Sequence, residues 1–238
     1  LGAIADEGWG ALLVFLPLLW IPLGAWAMEA VTGKRSTGRP PTLLVLRVFR
    51  QDANVQDLFD RVIDRWRSTG NTVLIAGTDL VDRTIDPDDI FTFIDGRLAE
   101  RFIRSPADVP RRLAEFELRP DVEGRYRVNE CYCHDTTWQD ALAELVRASD
   151  VVLMDLRNFI AQNAGCLHEL RVLATTPGLA RVVVLINEQT RLPEAQAAIA
   201  EATATAPSGR FVWLEQRGER PPGTEQVLAP LFVGPGGR

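Results

Sequence analysis

The chain is poor in the residues that staple or metallate small proteins. It contains three cysteines and two histidines in 238 residues. An odd, small set of thiols excludes a disulfide framework and fits a reducing compartment. All five side chains (Cys131, Cys133, His134, Cys166 and His168) fall within 38 residues. The Cys-x-Cys-His spacing is not that of a structural zinc site, however, and Cys166 and His168, two apart on a helix, do not share a face. No metal is expected. Basic residues are also in the minority, 26 Lys and Arg against 32 Asp and Glu, for a net charge of −6. That balance argues against a nucleic-acid partner, which needs a basic surface. No internal repeat is present. The acidic run Asp86–Asp89 has no EF-hand spacing and reads as a helix N-terminus with Pro87 in its first turn.

Charge is wholly missing from Gly8 to Met28, a run of 21 residues. A helix needs roughly 20 such residues to cross a bilayer core. Trp9 and Trp26 lie near its ends, where indoles favour the headgroup zone, and Pro17 and Pro22 are tolerated in membrane spans. Asp6 and Glu7 precede the run in place of a basic leader region, which argues against a cleaved signal. Residues 1–31 are therefore expected to be a transmembrane segment with the lipid bilayer as partner. Lys34, Arg35 and Arg39 follow it, so the C-terminal side is expected in the cytoplasm. One span without internal charge argues against a channel. The chain opens on Leu1, as expected of a fragment or processed form. Residues 32–41 form a basic, Pro/Gly-rich linker.

From Thr42 onward, short apolar runs alternate with amphipathic patterns, which predicts an α/β domain over 42–233 with a mainly parallel sheet. Five strands are expected: Leu43–Val48, Thr72–Ala76, Val151–Asp155, Arg181–Ile186 and Phe211–Leu214. Between them, Val55, Leu58, Phe59, Val62, Ile63 and Trp66 carry the helical stripe. Ile90, Phe93, Ile94, Leu98 and Phe102 form a second stripe, and Trp138, Ala141, Leu142, Leu145 and Val146 a third. Thr136–Gln139 has the form of a capping box. Helices are further expected over about 163–175, 193–204 and 224–232. Residues 104–134 break the rhythm and read as an insertion: a short helix from Ser105–Pro106 through Leu113, a turn at Asp121–Gly124, and an edge strand over 125–133. Residues 234–238 read as a disordered tail. Right-handed crossovers in such a pattern give a flavodoxin-like, doubly wound sheet of order 2-1-3-4-5.

Open sheets of this kind bind ligands beyond the carboxyl ends of their strands, at the switch between the first and third. The residues expected there are Phe49, Arg50 and Asp52 after the first strand, and Asp155, Arg157 and Asn158 after the third, with Glu169 on the following helix. Two carboxylates, Asp155 and Glu169, near one sheet edge suit chemistry at a sugar carbon, where a carboxylate stabilises or attacks a cation-like centre. Arg50 offers a planar fork suited to a phosphate.

The same residues carry a resemblance. Phe49-Arg50-Gln51-Asp52 after the first strand, Ala148-Ser149-Asp150-Val151-Val152-Leu153 running into the third, and Gly165-Cys166-Leu167-His168-Glu169-Leu170 on the next helix resemble a TIR domain, with Gly165 where the family carries tryptophan. The segment also resembles nucleoside 2′-deoxyribosyltransferases, whose strand-end aspartate and helix glutamate correspond to Asp155 and Glu169. The resemblance implies cleavage of the nicotinamide–ribose bond of NAD, or of a related nucleotide, with Glu169 catalytic and Asp155 orienting ribose hydroxyls. NAD would then be a substrate, and no cofactor is implied. It also implies possible homo-oligomers and a role in signalling or bacterial defence. The alternative is a non-catalytic, membrane-tethered module for nucleotide binding or protein interaction.

Overall fold

The computed structural model describes residues 39–46, 53–76, 102–133, 136–203, 209–218 and 220–232. The chain divides into two compact units, Leu1–Pro40 and Pro41–Arg238. Among the described residues no helix is long and apolar enough to cross a membrane. The span expected within 1–31 lies outside them, as do Phe49, Arg50, Asp52 and the tail 234–238.

The second unit is α/β with a single parallel sheet. Its strands are β1 (Thr42–Leu46), β2 (Asn71–Ala76), β3 (Phe102–Ile103), β4 (Val128–Cys133), β5 (Val151–Asp155), β6 (Arg181–Asn187) and β7 (Phe211–Gln216). Its helices are α1 (Ala53–Trp66), α2 (Val109–Ala114), α3 (Trp138–Ala148), α4 (Ala164–Thr175), α5 (Leu192–Thr203) and α6 (Thr224–Leu231), with a 3-10 turn at Pro106–Asp108 before α2. The strand order is β3-β4-β2-β1-β5-β6-β7, and every pairing is parallel.

Among the described residues the sheet thus has seven strands rather than the expected five. The five expected strands keep the order 2-1-3-4-5, and β4 and β3 extend the sheet beyond β2. The segment 104–134 therefore contributes to the sheet itself, and its strand is interior, between β2 and β3, rather than an edge. Polar Asn129 and Glu130 disguise that position. The Asn129 amide accepts from the Glu117 N–H at 2.9 Å and donates to the Glu117 carbonyl at 3.3 Å, so a buried polar side chain is satisfied inside the sheet. The stripe over 90–98 lies outside the described residues, and Phe102, its expected last member, stands in β3. The capping box at Thr136–Gln139 does not form, because α3 begins one residue later: Thr137 is its N-cap and makes no side-chain cap bond, and Thr137 Oγ1 donates to the Ile103 carbonyl, 2.7 Å away.

Alternation along the strands builds two cores, because successive side chains point to opposite faces. Leu43, Val45, Val151, Leu153, Val183 and Leu185 meet α1 and α6, with Trp66 and Phe59 fully buried. Leu44, Leu46, Val152, Met154, Val182 and Val184 meet α3, α4 and α5. Burial on both faces explains why β5 and β6 read as unbroken apolar runs. At the amino end of β2, Gly70 passes against Pro41. A β-carbon there would lie 2.0 Å from the Pro41 carbonyl oxygen, which itself accepts from the Asn71 N–H at 2.9 Å. Only glycine permits that approach.

Candidate active site

β5 runs in the middle of the sheet between β1 and β6. Its last residue, Asp155, delivers a carboxylate to the carboxyl edge. The chain then crosses a loop, residues 156–163, and enters α4, which carries Glu169 in its second turn.

The structure gives the expected site residues different surroundings. Asp155 and Arg157 are both buried, 4% and 7% exposed, and form a bidentate pair. Arg157 Nε donates to Asp155 Oδ1 and Nη2 to Oδ2, each at 2.9 Å, and the Arg157 backbone N–H adds a bond to Oδ1 at 3.1 Å. Arg157 Nη1 donates to Gln216 Oε1 at 2.9 Å, and Gln216 Nε2 donates to the Gly218 carbonyl at 3.0 Å. The network ties the end of β5 to the end of β7 across β6. Asn158 is left-handed, with φ 57°, a conformation Asn tolerates better than most residues. Its backbone N–H donates to Asn187 Oδ1 and its side-chain oxygen accepts from Asn187 Nδ2, both at 2.9 Å. Thr190 Oγ1 closes the loop by donating to the Leu156 carbonyl at 3.1 Å. Asp155, Arg157 and Asn158 are therefore held by protein partners and fix the loop that leads into α4.

Glu169 stands apart from this network. It is half-buried, and its carboxyl has no hydrogen bond or ion pair among the described residues. Burial pushes it up to about 7. Desolvation disfavours the anion, and among the described residues no donor or cation compensates it. Near neutral pH the group is divided between acid and carboxylate. As carboxylate it is a poorly solvated negative charge that gains more than an ordinary surface glutamate from a positive centre placed beside it. Cys166, one turn earlier on the same face, is pushed up to about 12, by burial first and then by the charges of Glu169 and Asp155. The thiol therefore stays protonated and poorly nucleophilic.

Two features compete for attention and carry less. A shallow groove of about 1160 Å³ runs along β7, lined in part by Trp213, Glu215, Arg217, Arg220, Pro221 and Gln226. It excludes Glu169, and the exposed Arg217 already faces Glu215 at 3.5 Å. Cys131 and Cys133 are buried with their sulfurs 3.8 Å apart. The hydrogen bond between them lowers Cys131, assisted by Arg112, and raises Cys133. Among the described residues no three His, Cys, Asp or Glu side chains converge as a metal site would require.

Sequence reasoning did not anticipate Gln216, Asn187 and Thr190. Their partners at the end of β5 come from far along the chain, and the one available signal was a polar residue at the carboxyl end of β6 (Asn187) and of β7 (Gln216); Thr190, in the loop after β6, had none. In comparison with known proteins, the chain matches no family model, no curated protein and no solved structure.

Proposed function

We propose that the domain cleaves the N-glycosidic bond of NAD or a related nucleotide, with Glu169 as the carboxylate facing the ribosyl carbon. The observation that carries this reading is the half-buried Glu169 carboxyl, without a partner among the described residues and pushed up to about 7, on the helix after the interior strand β5. Breaking a ribosyl C–N bond builds positive charge at the sugar carbon. A desolvated carboxylate stabilises that charge in the transition state more than in the ground state, which is the requirement for catalysis. Nicotinamide leaves with the bonding pair from a cationic precursor, so no second carboxylic acid is needed, and water adds to the ribosyl carbon and loses its proton to solvent. The engagement of Asp155 by Arg157 is consistent with a one-carboxylate mechanism in which Asp155 positions the loop rather than touching the sugar. The resemblance of residues 165–170 to the TIR motif supports the same assignment. Joined to the apolar run over 8–28, it yields a membrane-anchored cytoplasmic enzyme of signalling or defence.

The test is incubation of the full chain with NAD and a nucleoside panel, following free base by chromatography, beside Glu169→Gln. Base release by the parent and a loss of at least about 100-fold in the variant is the expected result. A specific observation favours a second reading. Asp155, Arg157 and Asn158 are all held by the protein itself, which suits a non-catalytic module that binds a nucleotide or assembles at the membrane. Saturable NAD binding with no base release from a folded chain would select that reading.

A further inference from the structure

We propose that Trp138, with His168, forms the wall against which the planar base of the substrate lies. This deepens the reading of the Glu169 site and rests on it for the position of the sugar. Trp138 opens α3, directly after the carboxyl end of β4, so its indole stands at the same sheet edge as Glu169. It leans on α4 at Gly165: a β-carbon at Gly165 would stand 3.8 Å from Trp138 Cη2 and 3.9 Å from Cζ2. One turn further along α4, the His168 ring meets the indole edge to face, with centroids 5.4 Å apart and planes at 81°. Gly165 and His168 form one stripe of α4, and Cys166 and Glu169 the adjoining stripe, within the same two turns. The aromatic wall and the unpartnered carboxylate are therefore neighbours on one short stretch of helix.

The indole is half-buried, so part of its surface still faces solvent. The fully buried Trp66 Nε1 donates to the Asn71 carbonyl, 3.0 Å away, whereas Trp138 Nε1 has no protein acceptor among the described residues and is not among their buried unpartnered atoms, so its N–H is open to solvent or a ligand. An indole with open surface and an unspent donor, beside a carboxylate that favours a cationic centre, fits a heteroaromatic base carrying a hydrogen-bond acceptor. Every such base has a π-face, so stacking supplies affinity without fixing which base is bound.

The test measures binding of two probes to the full chain by calorimetry: nicotinamide mononucleotide, which carries a base, and ribose 5-phosphate, which does not. Trp138→Leu is expected to weaken the mononucleotide by about 10- to 100-fold and leave ribose 5-phosphate unchanged, with Trp138→Phe recovering most of the affinity. Equal loss for both probes would make Trp138 merely structural and overturn the proposal. Unchanged mononucleotide affinity in Trp138→Leu, or no mononucleotide binding by the parent chain, would overturn it too. Absence of turnover with base-dependent binding intact would remove the catalytic reading and leave this one standing.

Discussion

Glu169 makes a prediction about stability that does not depend on any substrate. Its carboxyl is pushed from an ordinary 4.5 up to about 7 by burial. The folded protein therefore holds this proton more tightly than the unfolded chain does. Below pH 4.5 the group is protonated in both states and costs nothing. Between pH 4.5 and 7 the unfolded chain ionises while the folded one resists, so stability falls as pH rises, and above pH 7 the full cost is present. At about 1.4 kcal/mol per pKa unit, the cost is at most about 3.5 kcal/mol, and about 1–2 kcal/mol once the remaining solvent contact is allowed for. Glu169→Gln keeps the shape and removes the charge. It is expected to stabilise the full chain by that amount at pH 8 and to change little at pH 4.5. In thermal unfolding followed by circular dichroism, about 1–2 kcal/mol corresponds to a rise of roughly 2–8 °C for a domain of this size. A Tm difference that is the same at both pH values, or a Gln variant less stable at pH 8, would refute the desolvated carboxylate on which the proposed mechanism stands.

Three further outcomes follow from the same geometry. The kcat/KM for base release should rise with pH through about 7 as Glu169 ionises in the free enzyme, and the rise should be missing from whatever activity Glu169→Gln retains. Asp155→Asn strands the Arg157 guanidinium at a site where both side chains are 6% exposed. It should cost about 3–5 kcal/mol in urea denaturation, and a cycle with Arg157→Ala should show coupling above about 1 kcal/mol. Gly70→Ala forces a methyl to within 2.0 Å of the Pro41 carbonyl oxygen and should cost at least about 2 kcal/mol, whereas Gly165→Ala, which meets Trp138 no closer than 3.8 Å, should be nearly neutral in stability.

The parts of the fold that were legible in the sequence are those governed by local periodicity. The stripe from Val55 to Trp66 and the run Val151–Asp155 announce a helix and a doubly buried strand, because a 3.6-residue or unbroken apolar pattern admits few other buried arrangements. The strand that escaped and the one misplaced at an edge are those whose pattern was broken. β3 is two residues long, and β4 carries an asparagine made acceptable only by Glu117, twelve residues away. The capping box at Thr136–Gln139 failed for a related reason: α3 begins one residue later than the pattern predicts, with Thr137 at its N-cap, and the Thr137 hydroxyl is turned to donate to the Ile103 carbonyl on a strand the local pattern does not reveal.

The candidate site divides along the same line. Sequence by itself determined that Asp155 ends a buried strand and that Glu169 rides the next helix, since both follow from the order of apolar and polar residues. The pattern of residues placed two carboxylates at one edge, and the different roles given to them came from the resemblance and not from their surroundings. Only the tertiary structure separated them. Asp155 is neutralised by Arg157, whose remaining donor reaches Gln216 on a strand 59 residues further along the chain, and Glu169 meets neither donor nor cation among the described residues. The physical reason is that a carboxylate's chemistry is set by the charges and solvent around it, and those neighbours are brought together by the packing of distant strands rather than by adjacency along the chain.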